Sequence, residues 1–89
     1  MQFEWDEAKD QSNQEKHKVS FTEAQEAFFD VSRLIIKDDK HSSLEERYFC
    51  IGKTEKGILT VRFTMRGASI RVIGAGYWRE GKARYEKEN

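Results

Sequence analysis

Within residues 58–66, ILTVRFTMR, apolar and polar side chains alternate strictly from Leu59 onward. In an extended chain Leu59, Val61, Phe63 and Met65 point one way, and Thr60, Arg62, Thr64 and Arg66 the other. A strand with one face on a core and the other open satisfies that pattern. Its neighbours read alike. ERYFCIGKT (46–54) precedes it across the turn EKG, and SIRVIGA (69–75) follows RGA, where Gly67 supplies a permissive turn position. Connections this short join antiparallel strands.

Upstream the period changes. QFEW (2–5) reads as a short strand with Phe3 and Trp5 on one side. DEAKDQSNQEKH (6–17) reads as a helix, with Asp6 as N-cap and Glu7 at the positive dipole end. SFTEAQEAFFD (20–30) is the clearest helix: Ser20 and Glu23 make a capping box, and Val19 and Ala24 a hydrophobic staple. Phe21, Ala24, Ala27, Phe28 and Val31 recur at helical spacing and are expected in the core. RLIIKD (33–38) is a strand and DKHSS (39–43) a turn or mobile loop. YWREGKARYEKEN (77–89) is a charged helix that Gly81 weakens by about 1 kcal/mol relative to alanine. The expected fold is α+β, ordered β-α-α-β-β-β-β-α. Its sheet is mainly antiparallel with helices packed on one face, in one domain over residues 1–89.

Val72-Ile73-Gly74-Ala75-Gly76 looks like a strand entering a dinucleotide-binding glycine turn. That motif needs a third glycine where Arg79 stands, then a helix, a second parallel strand and an acid about 20 positions on. Thirteen residues follow Gly76, enough for one helix, so the dinucleotide reading fails.

No apolar run approaches the roughly 20 residues of a membrane span, and the acidic N-terminus has no apolar leader region. The lone Cys50, between Phe49 and Ile51, reads as a buried structural thiol; no disulfide framework is possible, which fits a reducing cytoplasm. Net charge is zero but unevenly spread. Residues 1–46 hold twelve acids and six bases, a net of −6; residues 47–89 hold four acids and ten bases, a net of +6. Two readings stand: a basic surface for phosphates or an acidic partner, or two halves that neutralise each other across the fold.

Lys9, Asn13 and His17 lie at i, i+4 and i+8, with Lys16 alongside, on one helix stripe. That stripe either binds phosphate, with His17 as proton carrier, or fixes the turn between the two helices through Asn13 and His17. His41 stands among Asp38, Asp39, Glu45 and Glu46, as a general acid/base pair or a solvated loop. With no H-x-x-x-H or C-x-x-C, neither a metal site nor a cofactor is expected. GKTEKG (52–57) is a hairpin turn, not a phosphate loop. RNA cleavage needs less equipment than those motifs. The 2′-hydroxyl is the nucleophile, so cations and a proton carrier suffice. Arg62, Arg66 and Arg71 on the open sheet face, with Arg79 and Lys82, supply charge. Tyr77, Trp78 or Tyr85 offers a stacking ring, Trp78 and Tyr85 reading equally as packing anchors.

The opening residues Phe3, Trp5, Asp6, Lys9, Asn13, Lys16, His17, Val19 and Phe21 resemble the N-terminal signature of the BrnT toxin family; HSSLEERYFCIGK, TMRG and SIRVIGA look like its middle and final strands. The resemblance covers nearly the whole chain as one BrnT-like domain. It implies a RelE-like fold, metal-independent RNA cleavage that stops translation, and a cognate BrnA antitoxin. The expected antitoxin segment is acidic and amphipathic, over Arg62, Arg66, Arg71 and Arg79, and a homodimer within the toxin–antitoxin complex is a further expectation. His17, Arg66, Arg71 and Arg79 are the expected catalytic residues; Lys9, Lys16, Arg62, Tyr77 and Lys82 are expected to hold RNA. Many relatives follow the last strand with Ser-Ala-Arg where this chain has Gly74-Ala75-Gly76. Either Arg79 substitutes for that arginine, or the stretch marks a subgroup with altered activity. The alternative function is a non-catalytic RNA- or protein-binding module on the same fold.

Overall fold

The computed structural model describes all residues, 1–89. Strand β1 (Gln2–Glu4) leads into helix α1 (Glu7–His17) and the short helix α2 (Phe21–Ala24), which tightens into a 3₁₀ segment at Gln25–Phe29. Strand β2 (Leu34–Lys37), a 3₁₀ turn (Asp39–His41), β3 (Arg47–Thr54), β4 (Gly57–Arg66) and β5 (Ser69–Gly76) follow, and helix α3 (Arg79–Glu88) closes the chain. The five strands form one sheet ordered β1-β5-β4-β3-β2. Its sequential neighbours are antiparallel, whereas β1 lies parallel to β5, so the sheet is mixed.

Asp6 caps α1 by accepting from the N–H groups of Ala8 and Lys9. Ser20 Oγ accepts from Glu23 N–H at 3.0 Å, one half of the capping box. Glu23's carboxylate turns away to Tyr77 and Lys56. Leu59, Val61, Phe63, Ile70 and Val72 face Phe21, Ala24, Ala27 and Phe28 in the core, with Phe3 and Trp5 packed at its margin. There Phe3 meets Phe28 edge-on at 5.2 Å. Gly52 lets the 3₁₀ segment touch the sheet: a Cβ there would stand 2.2 Å from the Ala27 carbonyl oxygen. Cys50 is buried in this core, and burial pushes its thiol up to about 12.

Two expectations need correction. Helices do not pack on one face alone. Helix α3 lies on the opposite face, where a Cβ on Gly81 would meet Thr60 Oγ1 at 1.8 Å. Thr60 is therefore buried although it alternates with the core residues. Val31 is not a core residue; helical winding stops at Phe29, and Val31 is 94% exposed in the following turn.

Helix α1 has no apolar stripe and docks through buried polar side chains instead. Asp10 accepts from the Phe21 N–H at 2.8 Å. Asn13 reaches β5 just beyond the point where β1 ends. Its Nδ2 donates to the carbonyls of Val19 and Ala75, both at 2.9 Å, and its Oδ1 accepts from Ala75 N–H at 3.1 Å. One amide thus pairs both the N–H and the carbonyl of Ala75, as a further strand residue would.

Candidate active site

Where α3 leaves the second sheet face uncovered, that face and α1 enclose a cleft of about 310 Å³. Lys9, Ser12, Asn13, Lys16 and His17 line it from α1, Arg47 from β3, Arg62 from β4, Ile73 and Gly74 from β5, and Trp78 closes one end. Four permanent cations and a histidine therefore face one small space, and no carboxylate is among its walls. Parity explains the convergence. Arg47 pairs with Thr64 and Arg62 with Phe49, positions that alternate with the core residues. A bulge at Arg62/Phe63 sets Arg62 opposite Gly74, and the guanidinium lies over that glycine, 3.9 Å from where a Cβ would stand.

The His17 ring, in the last turn of α1, meets the Trp78 ring edge to face, with centroids 5.2 Å apart and planes at 88°. Asn13's hydrogen bonds commit it to the junction of α1, α2 and β5, so of the four stripe residues it has the structural part. Lys9, Lys16 and His17 project into the cleft. Arg62 has no ion-pair partner. Arg47 Nε is buried without a hydrogen-bond partner, its nearest carboxylate oxygen, on Glu45, being 3.7 Å away.

A cleft of this composition suits a phosphodiester. Residues 5–81 match the family model described as the ribonuclease toxin BrnT of type II toxin–antitoxin systems. The chain belongs to that family. Among curated proteins no sequence matches it.

The other expected site residues lie outside this BrnT cleft. Arg66 and Arg71 share its sheet face but not its walls; Arg66 pairs with Glu45 at 3.7 Å and Arg71 with Glu4 at 2.7 Å. Arg79, Lys82 and Tyr77 line a second, wider cleft of about 930 Å³ between the β3–β4 hairpin and α3. Tyr77 is tied down there: its hydroxyl donates to Glu23 at 2.5 Å and lies 2.9 Å from Thr54 Oγ1. Burial, with the Glu23 hydrogen bond second, pushes its phenol up to about 12. Tyr85 anchors α3 by donating to Asp30 at 2.5 Å. Burial alone would raise the Asp30 carboxyl, but the hydrogen bonds from Tyr85 and from the N–H groups of Lys53 and Ser32 hold it below its ordinary range. His41 Nδ1 sits 2.9 Å from Asp38 Oδ2, an isolated pair, since Glu45 and Glu46 bond elsewhere.

Sequence reasoning passed over Arg47 and Ser12. For Arg47 a signal was present: in RYFCI the core takes Tyr48 and Cys50, so Arg47 and Phe49 must share the face of Arg62. As for charge, Glu4, Glu23 and Glu45 pair with Arg71, Lys56, and Arg47 and Arg66, so the acidic half neutralises part of the basic one. Arg62, Lys53, Arg79 and Lys82 are left unpaired around the two clefts. No helix is long and apolar enough to cross a membrane.

Proposed function

We propose that this chain is a RelE-like endoribonuclease toxin that cuts single-stranded RNA through the substrate's own 2′-hydroxyl. The observation that carries the reading is the carboxylate-free cleft lined by Lys9, Lys16, His17, Arg47 and Arg62. His17 takes the 2′-hydroxyl proton as the 2′-oxygen attacks the adjacent phosphorus. The P–O5′ bond breaks, the leaving 5′-oxygen takes a proton from solvent, and the products are a 2′,3′-cyclic phosphate and a 5′-hydroxyl. Charge on the pentacoordinate phosphorane falls to Arg62, Arg47 and the two lysines, which line the same cleft. Guanidinium and ammonium groups stand where metal-dependent nucleases put carboxylates, so the mechanism needs no divalent cation. Arg66, Arg71, Arg79, Tyr77 and Lys82 contact RNA outside the reacting phosphate. A BrnA-like antitoxin silences the protein by laying an acidic amphipathic segment over Arg62, Arg66, Arg71 and Arg79.

A non-catalytic binding module is favoured by one observation, that Arg66 and Arg71 already hold carboxylates. Incubating purified protein with end-labelled RNA in EDTA separates the two readings. The nuclease leaves 2′,3′-cyclic phosphate ends and His17→Ala abolishes them; cleavage that requires magnesium, or no cleavage, removes the mechanism.

A further inference from the structure

Trp78 lines both the carboxylate-free cleft and the wider cleft beside α3. The wider cleft carries Lys53 from the hairpin and Arg79 and Lys82 from α3, with Lys56 paired to Glu23 at 3.3 Å and Glu86 as the one carboxylate in its lining. Two basic depressions thus meet at one half-buried indole, whose N–H makes no hydrogen bond within the chain. An aromatic ring between two lines of cations is how single strands are gripped: the cations follow the phosphates, and the ring takes an unstacked base, whatever its identity.

We propose that the two clefts form one continuous track for single-stranded RNA, crossing at Trp78, with the wider cleft binding the strand beyond the cleavage point. The inference rests on the ribonuclease reading above and extends it: the substrate is an unpaired strand several nucleotides long, held on both sides of the scissile phosphate. Lys53 lines the wider cleft from β3 and Lys82 from α3, and neither has an ion-pair partner. Trp78 is a positioning residue, touching the His17 ring on one side and the strand on the other.

The test uses 2′-fluoro RNA, which lacks the nucleophile and cannot be cut. Oligonucleotides of about 4 and about 12 nucleotides bracket the span of small single-strand sites. The longer one should bind the intact protein at least about tenfold tighter. Lys53→Gln with Lys82→Gln should remove most of that advantage and lower the salt slope by about 1.4, about 0.7 per lost phosphate contact. In a Trp5→Phe background Trp78 is the only tryptophan, and its fluorescence should be quenched as the longer strand binds. Equal affinity for both lengths, or an undisturbed Trp78, overturns the track even if the protein cleaves RNA. Length-dependent binding without cleavage supports the track and removes only the nuclease. If the lysine changes spare RNA binding but abolish capture by the antitoxin, the wider cleft is a protein-docking surface and the track is wrong.

Discussion

A Cβ on Gly76 would stand 2.3 Å from Cε2 of Trp78, so the indole occupies the space any side chain at 76 would need. The space at this glycine is therefore filled from two residues away by a ring that also meets His17. At Gly74 the case differs, since a Cβ there would meet the Arg62 guanidinium at 3.9 Å, an ordinary contact.

Gly76→Ala should accordingly force the indole out, costing about 1–3 kcal/mol as overpacking does. Trp78→Ala removes the obstacle, so Gly76→Ala should cost little in that background. Urea unfolding of the four proteins of this cycle measures the coupling. Strict additivity would mean that position 76 is glycine for some other reason.

How far the chain could be read in advance follows the range of the forces involved. Strand parity, the cap at Asp6 and the turn at Gly67 are local, and all are visible in the sequence. Asn13 stood on the right helix stripe, but its partner Ala75 lies 62 residues away, so phosphate binding and turn fixing could not be told apart. Gly81 read as a flaw in α3 because propensity is all that neighbouring residues reveal; its reason, Thr60, lies on another strand. Arg66 and Arg71 were placed on the correct face, yet pairing to Glu45 and Glu4 depends on tertiary approach that no spacing announces.

Gly81 yields a second prediction. Alanine there gains about 1 kcal/mol of helix propensity but drives its Cβ into Thr60 Oγ1. Overpacking of about 1–3 kcal/mol should win, and Gly81→Ala should lower stability. Thr60 Oγ1 is buried without a hydrogen-bond partner, so deleting it removes an unfavourable group as well as the clash. The double variant Thr60→Ala, Gly81→Ala should be at least as stable as the parent. A double variant no better than Gly81→Ala alone would refute this account of the α3 contact.

Alkaline stability follows from the buried thiol and phenol. Cys50 rises from an ordinary 9.0 to about 12 and Tyr77 from 10.0 to about 12. The fold favours both protonated forms, so their contribution is whole below pH 9 and is lost as pH climbs toward 12. The urea midpoint should hold steady from neutrality to about pH 9 and then fall. In Cys50→Ala the fall should begin about one pH unit later, because the next groups with raised values, Tyr48, Tyr77 and Tyr85, start from 10.0. An onset unmoved by the substitution would show that the thiol does not govern it.

The sheet arginines divide by their partners. Arg62 reaches into the cleft unpaired, whereas Arg71 is held at 2.7 Å by Glu4, its register partner on β1. A charge-assisted phosphate contact is worth about 1.5–3 kcal/mol, so Arg62→Ala should reduce cleavage about tenfold or more while leaving the unfolding midpoint in place. Arg71→Ala instead breaks a partly exposed pair worth about 0.2–1 kcal/mol. Because β1 is held to the sheet by three residue pairs only, that loss should appear as lower stability, with a smaller effect on cleavage. Cleavage rates measured per folded molecule, beside thermal unfolding of each variant, separate the two roles. If Arg71→Ala cuts the rate as deeply as Arg62→Ala with its midpoint unchanged, Arg71 leaves Glu4 for the phosphate, and the division drawn here is wrong.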